Sequence, residues 1–97
     1  MSMKTSKRTK SPLAGRQSRK FNVRFEYNGR VLDEKFETVY DAFVTFKPET
    51  IKNKIFFRAE CGTRKVERTL FAPFARRIFF NDSATRIFTR NVERAIT

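Results

Sequence analysis

A chain of 97 residues with 39% hydrophobic content and twelve phenylalanines has the material for one folded domain and not for two. A single cysteine, Cys61, and no histidine exclude an intrachain disulfide and a structural zinc site, remove the commonest general base, and point weakly to a reducing compartment. A net charge of +12 favours a polyanionic partner, and no apolar run approaches the roughly 20 residues of a membrane span, so no membrane partner is expected.

Residues 1–20 read as a disordered, flexible basic arm. Lys4, Lys7, Arg8, Lys10, Arg16, Arg19 and Lys20 carry seven positive charges with no acid among them. Pro12 and Gly15 interrupt the segment, and Leu13 is its one large aliphatic residue besides the methionines. Such a stretch buries too little surface to offset its ordering entropy. Unpaired positive charge of this kind is a footprint of nucleic-acid binding. A solubilising tail is the plainer reading. A mitochondrial presequence is a third, but one leucine gives its amphipathic helix almost no apolar face. The segment also lacks the apolar core of a signal peptide.

Order is expected from Phe21 onward, in a single domain covering residues 21–97. In FNVRFEY, Phe21, Val23, Phe25 and Tyr27 alternate with polar residues, the period of a half-buried strand. Asn28-Gly29 is a strong hairpin signal, and a second strand follows over residues 30–38 with Leu32 and Phe36 as inward candidates. Val39, Phe43 and Phe46 have helical spacing, with Thr38 as cap, Asp41 in the first turn, and a stop before Pro48. KIFFRAE and VERTLF predict two more strands around a turn at Gly62. Pro73 opens a short helix or breaks an edge strand, which leaves residues 74–80 undecided between helix and strand. Asn81-Asp82-Ser83 signals a turn or cap, and SATRIFTRNVERAI predicts a terminal helix with Phe88, Val92, Ala95 and Ile96 on one side. Residues 22–46 and 56–80 echo each other faintly. The expected fold is α+β, in ββαββα order, with helices packed on one face of an antiparallel sheet.

Charge is unevenly shared along this body. Residues 21–60 balance seven bases against seven acids, whereas residues 61–97 hold eight bases, seven of them arginine, against three acids. Arg86, Arg90 and Arg94 recur every fourth residue, within about 80° of arc on a helix and about 6 Å apart along its axis. That spacing suits successive phosphates, although Glu93 lies near enough to neutralise Arg90. Arg76 and Arg77 extend the patch, as do Arg64 and Lys65 beside Arg68 at the second hairpin. Most phenylalanines follow core periodicity. In Phe56-Phe57 and Phe79-Phe80, one member of each pair must face away from the other if the pair lies on a strand. An outward ring beside a cation suits base stacking or a protein partner.

Catalytic patterns are missing. No Gly-rich phosphate loop, Walker motif or H-E-x-x-H is present, and the RNP1 pattern of RNA-recognition motifs is absent. Asp33, Glu34, Glu37 and Asp41 form an acidic group, but Asp33 and Glu34 point to opposite faces of a strand. The sequence therefore predicts a small, non-catalytic nucleic-acid-binding protein without a cofactor, cytoplasmic or nucleoid-associated. It does not choose between DNA and RNA. The alternatives are a protein that docks a Phe-rich surface on a larger transcription or translation complex, and a metal-dependent nuclease built on the acidic group.

Overall fold

Alternation in the first ordered segment produces the central strand β1 (Phe21–Tyr27), whose odd-numbered side chains are buried. The computed structural model describes residues 20–97, so the predicted arm cations from Lys4 to Arg19 lie outside the described residues. β1 turns through Asn28 (φ 54°) and Gly29 (φ 81°) into β2 (Arg30–Phe36). Two consecutive left-handed residues make the tight turn whose twist matches that of a hairpin. α1 (Val39–Phe46) follows, with the Thr38 hydroxyl accepting from the Asp41 N–H at 3.0 Å. β3 (Lys54–Cys61) and β4 (Arg64–Phe71) form a second hairpin around Gly62 (φ 64°). The ambiguous FARRIFF segment is helical: α2 (Ala72–Phe79) starts with Pro73 in its first turn, where the missing N–H costs nothing. α3 (Asp82–Ile96) is capped by the Asn81 side chain, which accepts from the Ala84 N–H at 3.2 Å.

The result is an α+β fold: a four-stranded antiparallel sheet in the order β2-β1-β3-β4, with all three helices on one face. The helix-facing side of the sheet carries Phe21, Val23, Phe25, Ile55, Phe57, Ala59 and Leu70, all buried. The opposite side has no covering layer among the described residues.

The faint echo is a structural repeat. Arg24 and Arg58, Glu26 and Glu60, and Arg30 and Arg64 recur at a common spacing of 34 residues, with Asp33 matched by Glu67 and Phe36 by Leu70. Arg24 lies directly opposite Arg58 in the β1–β3 pairing, and each faces its repeat-related acid in its own hairpin, Asp33 and Glu67. An approximate two-fold axis therefore passes between Arg24 and Arg58 and exchanges the two ββα units. α3 stands outside this symmetry.

The face of α3 differs from expectation. Val92 and Ile96 are buried and Phe88 is partly buried, but Ala95 is exposed, and the buried stripe instead runs through Thr85 and Thr89. A hydropathy reading discounts threonine. On a helix its hydroxyl is satisfied by carbonyls of preceding residues: Thr89 Oγ1 donates to the Thr85 carbonyl at 2.8 Å, and Thr85 Oγ1 to those of Ile78 and Asn81. The methyl groups are then free to pack.

Candidate nucleic-acid interface

The predicted arginine stripe divides in two. Arg86 is engaged: its Nε donates to Asp82 Oδ2 at 2.8 Å, one turn earlier on α3, and its guanidinium lies 4.4 Å from the Tyr40 ring. The Tyr40 hydroxyl in turn donates to Asp82 Oδ1. These two donors, Tyr40 first, hold the Asp82 carboxyl below the usual range, and the same bond pushes the Tyr40 phenol up. Arg86, the first member of the predicted stripe, is therefore matched by an acid. Acid four residues ahead of base on a helix is the favourable order for such a pair.

Arg90 and Arg94 are exposed, and no ion pair among the described residues involves them. The acid nearest in sequence is used elsewhere. Glu93 Oε2 accepts from the Val39 N–H at 2.8 Å, placing its charge at the N-terminus of α1. This contact across 54 residues was invisible in the sequence, where Glu93 looked like a partner for Arg90.

The remaining predicted cations sort similarly. Arg77 is exposed on α2, whereas Arg76 Nη1 donates to the Ile51 carbonyl at 2.6 Å and ties down the connection before β3. Arg64 Nη1 lies 3.5 Å from the Thr97 carbonyl, at the C-terminal end of α3. Arg64 and Arg68 share the helix side of edge strand β4, and Lys65 is on the open side. The β4 edge thus joins the basic end of α3 to the open face of the sheet. Lys20 is exposed at the start of β1, its ammonium 5.7 Å from the Phe21 ring centroid.

Several acids are neutralised on the open sheet face. Arg24 bonds Glu26 at 2.7 Å and Asp33 at 2.9 Å, and Arg58 lies 3.9 Å from Asp33 and 3.5 Å from Glu60. The Asn22 amide, helped by Arg24 and Arg58, holds the Asp33 carboxyl below its ordinary value. A carboxyl depressed in the folded state stabilises above its unfolded pKa, and that contribution is lost as pH falls through the folded value. Asp33→Asn should therefore lower the urea midpoint near neutrality, with the gap to wild type closing from about pH 5 downward. A gap independent of pH would show that shape, not charge, holds Asp33 in place. Glu34 is on the other side of β2, and no three acidic or thiol side chains among the described residues converge to hold a metal.

Exposed apolar side chains complete the surface. Phe74 and Phe80 of the α2 region and Ile87 of α3 lie on the helical side, while Val31 and Phe71 lie on the open sheet face. On β3 Phe57 points inward and Phe56 outward, as expected for a strand, whereas Phe79 and Phe80 lie at the end of helix α2, Phe79 buried and Phe80 exposed. Comparisons with protein-family models, with curated proteins and with solved structures returned no match for this chain. Among the described residues no helix is long and apolar enough to cross a membrane.

Proposed function

We propose that this chain is a non-catalytic nucleic-acid-binding protein that grips the phosphate backbone with its N-terminal basic segment and with the outer face of α3. The observation that supports this is local: Arg77, Arg90 and Arg94 are exposed and form no ion pair among the described residues, while the two acids of α3, Asp82 and Glu93, are taken by Arg86 with Tyr40 and by the Val39 N–H. Arginine in this state presents a planar fork for phosphate oxygens and releases counterions when it binds.

Anisotropy titrations of a labelled duplex at several salt concentrations test the reading. Arg90→Ala/Arg94→Ala should weaken binding and reduce the log–log salt slope by about 1.8, two contacts at about 0.9 each. An unchanged slope would remove α3 from the interface. The second reading, docking of an apolar surface on a larger protein complex, draws on exposed Phe74, Phe80 and Ile87. It predicts binding that survives high salt and depends on those side chains.

A further inference from the structure

We propose that the open face of the sheet, at the end built by Phe56 and Phe71, binds unpaired bases of a single-stranded nucleic acid; this deepens the reading above and rests on it. Phe56 is the outward member of its pair, facing Glu26 on one neighbouring strand and Thr69 on the other. Phe71 faces Lys54 one row further along, so Phe56 and Phe71 occupy diagonal positions on β3 and β4, where Cβ atoms lie about 7 Å apart and long or aromatic side chains come within reach. Phe71 is 62% exposed and Val31 54%. A depression of about 500 Å³ opens over Phe56 and is walled by Glu26, Val31, Lys54 and Thr69.

Folding does not explain aromatic residues here. Among the described residues no helix covers this face, and the approximate two-fold axis supplies an internal control. It relates Phe56 to Asn22, Phe71 to Glu37, Thr69 to Lys35 and Val31 to Lys65. The same fold position at the opposite end of the same face therefore accepts polar residues throughout. The halves agree where structure demands it, at Arg24/Arg58 and Glu26/Glu60, and part company at half-buried Phe56 and exposed Phe71.

The chemistry of the patch suits bases. Every base has a π-face that stacks on an aromatic ring without regard to sequence, and only an unpaired base can offer it. Glu26 gives one oxygen to Arg24 and has the other without a partner among the described residues, available to a base amino group. Lys52 and Lys54 are exposed beside the patch for the phosphates. The far end of the face carries Lys65, exposed on edge strand β4. Seven strand residues span roughly 20 Å, enough for a few nucleotides laid from the aromatic end towards Lys65.

The chain contains no tryptophan, so Phe71→Trp and Phe56→Trp each introduce a single reporter. Titration with oligo-dT and oligo-rU of fifteen nucleotides should quench that fluorescence, and a duplex of the same length should not. Phe56→Leu/Phe71→Leu keeps apolar surface but removes both rings. It should weaken single-strand binding at least tenfold, about 1.4 kcal/mol, while duplex affinity and the salt slope stay as in wild type. If the leucine variant binds single strands like wild type and neither tryptophan is quenched, the stacking site is wrong. The cationic reading then stands on its own slope, and the patch belongs to a protein surface. If wild type binds neither single strand nor duplex near physiological salt, both readings fall together.

Discussion

Removing residues 1–19 is expected to weaken nucleic-acid binding more than any substitution in the folded body. The segment holds six of the 22 basic residues and no acid, so its loss cuts the net charge from +12 to +6. If all six cations contact phosphates, the log–log salt slope should fall by about 4 on single strands (six at about 0.7) and by about 5 on a duplex (six at about 0.9). Between about 50 and 200 mM salt, the full chain should lose orders of magnitude in affinity that the truncated chain has little of to lose. Arg64, Arg77, Arg90 and Arg94 remain after truncation, so the slope should not reach zero. The thermal midpoint should barely move, because β1 begins at Phe21 and the core draws on residues from Phe21 onward. An unchanged slope with an intact fold would assign the segment to solubility alone.

Local signals in this sequence proved sufficient wherever the answer was local. FNVRFEY followed by Asn-Gly is a strand and turn because the period and the φ preferences are carried by neighbouring residues. Thr38 and Asn81 cap their helices because each reaches an N–H three residues ahead. FARRIFF was ambiguous because a run with apolar residues on both sides of two arginines fits a buried strand as well as a helix. Burial of Ala75, Ile78 and Phe79 on one side of α2 decides it, and that depends on the sheet beneath. At the site, exposure and charge were legible, but partnership was not. Arg86 and Asp82 are four residues apart, so helical spacing alone makes their pairing legible, unlike the longer-range contacts. Glu93 with Val39, and Arg76 with Ile51, join segments far apart in sequence, and no local pattern announces them. The repeat was legible only as an echo, because a handful of identities at one spacing mean little until the register places Arg24 opposite Arg58.

Phe25→Ala is expected to be the most damaging single change to stability. The residue is fully buried on a central strand, and its ring meets those of Phe43, Phe46, Phe57 and Phe79 at centroid distances of 4.6–5.8 Å. A Phe→Ala cavity costs about 3–5 kcal/mol, a large part of the roughly 5–15 kcal/mol that holds a small domain together. The thermal midpoint should fall by about 15–30 °C, or the variant should fail to fold; Phe71→Leu on the open face should leave it nearly unchanged. The repeat sharpens the test. The two-fold axis relates Phe25 to Ala59 and Val23 to Phe57, so the pairing sets Phe25 against Phe57 at one end of the sheet and Val23 against Ala59 at the other. The bulky pair meets the aromatic residues of α1 and α2. The small pair belongs to the end where the C-terminus of α3 reaches Arg64, and Ala59 is already fully buried there. Phe25→Ala/Ala59→Phe conserves total volume but moves a ring into that closed space. It should therefore be no more stable than Phe25→Ala alone, since a cavity at one end and overpacking at the other both cost free energy. Recovery in the double variant would mean that the two ends of the core are interchangeable and that α3 docks without needing the small pair beneath it.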